Sequence, residues 1–101
     1  MTDKTLKKAK RKHRAEIARR AVEAHEATQA ARAAKSTLKE AYAAFKTRMG
    51  GRRIEAGSLE WKQMMVETKA QFDAQEDAKR IAGNAQRRLE TYISRHAGST
   101  A

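Results

Sequence analysis

A heptad seam constrains this chain more than any other feature. Starting at Ile17 and stepping by alternating fours and threes, one meets Ala21, Ala24, Thr28, Ala31, Lys35, Leu38, Tyr42, Phe45 and Met49. That spacing returns to one side of an α-helix and is the pattern of a helix that packs along another helix. The upper part of the seam is mostly alanine, so a partner can approach closely with little area per layer. The lower part, Leu38 to Met49, holds the bulk.

A partner stripe follows a turn. Gly50-Gly51-Arg52-Arg53-Ile54-Glu55-Ala56-Gly57 breaks the helix, because tandem glycine rarely continues one and Gly50 suits a left-handed C-cap. Ser58 is the expected N-cap of the second helix, with Glu60 in its first turn. Its stripe runs Trp61, Met65, Thr68, Phe72, Gln75, Lys79, Ala82, Gln86, Leu89, Ile93. Ala74, Ala78, Ile81, Ala85 and Tyr92 lie beside it and widen the face.

Folded across the turn, the two stripes match in a single antiparallel register. Phe45 falls opposite Met65, Leu38 opposite Phe72, Lys35 opposite Gln75, Thr28 opposite Ala82 and Ile17 opposite Ile93. The sequence therefore predicts an all-α fold, a long antiparallel helical hairpin resembling a coiled coil. Its expected parts are a basic N-terminal helical arm over residues 1–16, helices over about 17–49 and 58–97, a turn over 50–57, and a disordered tail over 98–101. The arm, capped by Thr2 or Asp3, is expected to fray in the free protein. Gly83-Asn84 is the expected weak point of the second helix. With so thin a core, a homodimer or completion by a partner is expected, Met64 and Val66 offering spare apolar surface.

Composition excludes several classes of function. About half of the 40% hydrophobic content is alanine, and proline and cysteine are absent. Disulfides and thiolate metal sites are thereby ruled out. No apolar run approaches a membrane span, and a cytoplasmic location is expected. His13, His25 and His96 lack metal-ligand spacing within a helix, although the register brings His13 near His96. There is no phosphate-cradling glycine loop and no pocket expected in a narrow rod. We expect neither an enzyme nor a cofactor, metal or small-molecule substrate.

The net charge of +11 on 101 residues points to a polyanion. Residues 1–20 carry roughly +7 and residues 79–96 roughly +4, while residues 55–77 are net acidic. The hairpin gathers both basic segments at the pole that holds the two termini. The first reading is a nucleic-acid-binding protein, RNA or DNA, contacting backbone phosphates. Its expected contacts are Lys4, Lys7, Lys8, Lys10, Arg11, Lys12 and Arg14, aided by Arg19, Arg20, Arg87, Arg88 and Arg95, with His13 and Tyr92 available to stack on bases. Arg48, Arg52 and Arg53 form a secondary basic patch at the turn. The alternative is a protein-binding helical module, such as a small phage-type inhibitor or accessory factor docked on a larger, nucleic-acid-processing complex. Membrane-surface binding is disfavoured, because Leu6 is the arm's one large apolar residue.

Overall fold

The computed structural model describes the backbone of residues 2–100 and the side chains of residues 2–96. Three helices follow in order: α1 (Asp3–Arg48), α2 (Leu59–Glu67) and α3 (Lys69–Thr100). α1 folds back on α3, giving a rod of 72 × 18 × 18 Å. The helices are antiparallel: His13 stacks on His96, Glu23 pairs with Arg88, and Arg48 pairs with Glu67. The helical hairpin expected from the two stripes is thus the observed architecture.

Local chemistry sets the ends of the helices. The Thr2 hydroxyl accepts the Thr5 N–H at 3.2 Å and caps α1. At the other end, the Gly50 N–H donates to the Thr47 carbonyl and the Gly51 N–H to the Lys46 carbonyl, the two bonds of a Schellman motif. Gly50 has φ +91°, a conformation that strains a side chain with a Cβ. Lys46 and Arg48 sit in this last turn, where the helix dipole favours cations. Ser58 then accepts the Trp61 N–H at 3.1 Å and starts α2, with Glu60 in the first turn.

The packed face keeps every second seam position and shifts by one residue at most of the others. Ile17, Ala24, Ala31, Leu38 and Phe45 face inward on α1, as do Trp61, Thr68, Gln75, Ala82 and Leu89 on the returning strand of the hairpin. Between them, Arg20 and Ala34 are half-buried where Ala21 and Lys35 are exposed, while Ala27 and Ala41 share the face with the expected Thr28 and Tyr42. On the second side Met64 joins the expected Met65; Gln71, with Ala78, Ala85 and Tyr92 of the neighbouring stripe, lies inward, while Phe72, Lys79, Gln86 and Ile93 are exposed. The reason is the relative cost of the two faces. The expected face buries the Lys35 and Lys79 ammonium groups, which is costly by several kcal/mol per unpaired ion. The observed face buries alanines instead, and leaves Phe72 44% and Ile93 42% exposed. Losing part of the burial of two apolar side chains costs roughly 1–2 kcal/mol each. Met64, expected on a spare surface, is buried within the hairpin, whereas Val66 is 75% exposed.

The layer-to-layer register nonetheless agrees with the expected one. One interhelical groove is lined by Thr28 and Lys35 from α1 and by Gln75 and Ala82 from α3, the pairs expected opposite each other. Phe45, 1% exposed, is the one large side chain that is fully enclosed among the described residues. Bulk at Phe45, Trp61 and Met64 keeps α2 further from α1, while the alanine-rich part of α3 lies close.

The second helix is not continuous, and α1 begins well before its packed seam. The second helix is interrupted at Thr68, not at Gly83-Asn84. The buried Thr68 hydroxyl donates to the Met64 carbonyl at 2.6 Å, a back-bond that bends helices. Gly83, by contrast, lies inside α3 with helical backbone. At the N-terminus, residues 3–16 belong to α1 without a break, and half-buried positions reach back to Ala9, Lys10 and His13. The tail expected over 98–101 meets α3, which runs to Thr100; Ala101 lies outside the described residues.

Gly83→Ala tests the continuity of α3. An added Cβ meets only the Arg87 guanidinium, at 4.0 Å. Thermal or urea unfolding should show a gain of about 0.5–1 kcal/mol, the helix-propensity difference. A loss would mean that Gly83 is a hinge.

Candidate nucleic-acid interface

The hairpin concentrates charge at the pole holding the termini. Residues 2–32 contain ten Lys and Arg against four Asp and Glu, and residues 78–96, which face them, contain five against one. This half therefore carries roughly ten of the eleven excess positive charges.

The seven N-terminal cations are presented on the first turns of α1. Lys4, Lys7, Lys8, Arg11 and Arg14 recur at spacings of three and four, which places them on one stripe. All five are exposed, as is Lys12 beside them, whereas Lys10 is half-buried towards α3. Among the described residues none of the seven forms an ion pair. Their charge is uncompensated and available to a polyanion.

The arginines behind them divide into two groups. Arg19 forks onto Glu16, with its Nη2 at 2.5 Å from Oε1 and its Nε at 3.2 Å from Oε2, and reaches Glu23 at 3.5 Å. Arg20 donates to Glu16 at 2.8 Å and lays its guanidinium 4.8 Å from the centre of the Tyr92 ring. Arg88 crosses from α3 to Glu23 at 2.6 Å, an interhelical pair that the sequence reading missed. Arg87 donates to the neutral Asn84 amide, so its charge stays unpaired. Arg95 has no acidic partner among the described residues. Arg20, Arg87, Arg88 and Arg95 together line a groove of about 420 Å³ whose floor includes Tyr92 and His96.

These ion pairs shift the acids at their centre. The hydrogen bond from Arg19 is the largest influence on Glu16; that from Arg20 and both nearby charges add to it, partial burial opposes it, and the carboxyl is lowered to about 2. Glu23 is lowered chiefly by the hydrogen bond from Arg88. Glu16 raises Arg19 in turn.

His13 and Tyr92 do not present free faces for stacking on bases. His13 Nδ1 and the Tyr92 hydroxyl are hydrogen-bonded at 2.8 Å. The His96 ring stacks on His13 at 4.4 Å between centroids and lies 4.3 Å from Tyr92. This cluster closes the basic pole of the hairpin. The seam register foretold the neighbourhood of His13 and His96, and Tyr92, expected on the stripe that widens the face, joins them.

The secondary patch is weaker as a phosphate site. Arg48 is engaged with Glu67 and sits over the Phe45 ring at 5.4 Å. Arg52 and Arg53 are exposed in the turn, sharing a shallow groove with Glu55 and Glu60. Further along α3, Arg80 pairs with Asp77 and Lys79 with Glu76. Among the described residues no helix is long and apolar enough to cross a membrane.

These features define the class: an all-α hairpin with one strongly basic pole. No family model, curated protein or solved structure matches the chain.

The Glu16 cluster gives a direct test. Followed by NMR, the Glu16 side-chain carboxyl should titrate with a midpoint of about 2, and Arg19→Ala should move it up towards 4.5. A lowered carboxyl stabilises the fold above its unfolded value of 4.5, and that contribution is lost as the pH falls through about 2. A midpoint near 4.5 in the native chain would mean that the Arg19 fork is not formed.

Proposed function

We propose that this protein binds nucleic acid through its basic pole, contacting backbone phosphates rather than reading bases, and that it performs no catalysis. One observation carries the reading: the stripe of Lys4, Lys7, Lys8, Arg11 and Arg14 is exposed and without ion pairs, at the end of the rod that holds nearly all the excess charge. Cations so arranged gain affinity by releasing counterions from a polyanion, whatever its sequence. The engagement of Tyr92 and His13 with each other supports phosphate contact over base stacking. The same helix in both free and bound states would avoid the ordering cost of a disordered basic arm.

A second reading, docking on another protein, has Leu59 and Val66 of α2 as its support, since both are large apolar residues left exposed. They lie near the turn, away from the basic pole, so the two surfaces can be tested separately.

Binding to a fluorescent 20-base-pair duplex, measured by anisotropy at several salt concentrations, decides between them. The logarithm of the affinity should fall against the logarithm of salt with a slope of roughly −4 to −5, five phosphates at about −0.9 each. Alanine at the five stripe positions should flatten the slope, while Leu59→Ser with Val66→Ser should leave it unchanged. Binding that is absent, or unaffected by the stripe substitutions, contradicts the proposal.

A further inference from the structure

The basic pole carries two separate cationic surfaces, and they face nearly opposite ways. On α1 the side towards α3 is marked by Lys10, His13, Ile17 and Arg20, all half-buried. At 100° per residue, the stripe of Lys4, Lys7, Lys8, Arg11 and Arg14 lies on the far side of that helix. On α3 the side towards α1 is marked by Ala85, Leu89, Tyr92 and His96. Arg87, Thr91 and Arg95, spaced i, i+4 and i+8, form a row on another side of α3, each step about 6 Å along the axis. Because the helices are antiparallel, this row turns to the flank where Arg88 meets Glu23, and away from the α1 stripe. Arg87 and Arg95 are the groove arginines without an acidic partner among the described residues; Arg20 and Arg88 are engaged by Glu16 and Glu23. Glu16 and Glu23 also separate the two surfaces electrostatically on that flank.

The thickness of the rod gives this arrangement its consequence. The hairpin is 18 Å across, close to the width of a nucleic-acid duplex. A straight duplex lying on the stripe is therefore out of reach of the row behind it. We infer that each chain holds two duplex segments at once, one on the α1 stripe and one on the Arg87-Thr91-Arg95 row, and so bridges double-stranded nucleic acid. The inference rests on the nucleic-acid reading of the basic pole. It requires no dimer, because both surfaces belong to a single hairpin.

A capture assay tests it. Beads carrying one 40-base-pair DNA duplex are mixed with a second, fluorescent duplex and with the full chain. Capture of the second duplex is expected at low protein-to-duplex ratios and is expected to disappear at high ratios, when every duplex is coated separately. Two variants are compared: alanine at the five stripe positions, and Arg87→Ala with Arg95→Ala. All seven sites are exposed helix positions, where alanine preserves helicity, and circular dichroism verifies this. Each variant should still bind a single duplex by anisotropy, through the surface it retains, but should capture no more of the second duplex than protein-free beads do. Capture that persists in either variant overturns the inference, as it would if a dimer did the bridging. Capture absent from the native chain, with single-duplex binding intact, overturns it also. A native chain that binds no duplex at all overturns the nucleic-acid reading itself.

Discussion

Everything in this fold depends on the close approach of two antiparallel helices across a seam of small side chains. Ala24, Ala27, Ala31 and Ala34 on α1 and Ala78, Ala82 and Ala85 on α3 are buried or half-buried on the packed faces. Each alanine buries little area, so stability must accumulate along the length of the rod. The bulk that a compact domain would place centrally is displaced to one end, around Phe45 and Met64. At the other end it is replaced by the polar and aromatic cluster of His13, Tyr92 and His96. The seam is thus closed at both poles by larger side chains and held together between them by proximity.

That geometry determines the electrostatics. Antiparallel packing sets the two most basic stretches of the chain side by side, and their mutual repulsion must be offset locally. Glu16 and Glu23 supply the offset, neutralising Arg19, Arg20 and Arg88, the arginines nearest the interface between the helices. The cations that remain without acidic partners lie further out, on the N-terminal stripe and at Arg87 and Arg95. The hairpin thus compensates its inner charges and leaves its outer ones bare. The acid-stabilised arginines and the bare cations are therefore complementary parts of one arrangement.

Much of this was legible in the residues. The seam positions shared by both stripes, the glycine turn, the Thr2 and Ser58 caps and the layer register all follow from spacing and local chemistry. The register even brought His13 to His96. What the spacing left open was whether alternate layers use the third or the fourth residue, because each choice on α1 sets an alanine beside another residue: Arg20 or Ala21, Ala27 or Thr28, Ala34 or Lys35, Ala41 or Tyr42. The decision falls to Lys35 and Lys79, whose ammonium groups cost more to bury than Phe72 and Ile93 cost to expose. The interruption at Thr68 was not legible either. Glycine is the stronger local signal, but Gly83 lies in a regular helix, whereas Thr68 is buried and its hydroxyl turns to the Met64 carbonyl.

The central claim is that both termini meet at one pole of the rod, and distances between spin labels test it most directly. Cysteines placed at the exposed positions Ala18, Ser94 and Lys62, in a chain with none of its own, allow two pairs to be compared by pulsed electron resonance. Packed helices lie about 8–10 Å apart and rise 1.5 Å per residue, so the Ala18–Ser94 pair should measure about 20 Å or less and the Ala18–Lys62 pair roughly 40–50 Å. An Ala18–Ser94 distance longer than the Ala18–Lys62 distance would contradict the hairpin and the concentration of charge that follows from it.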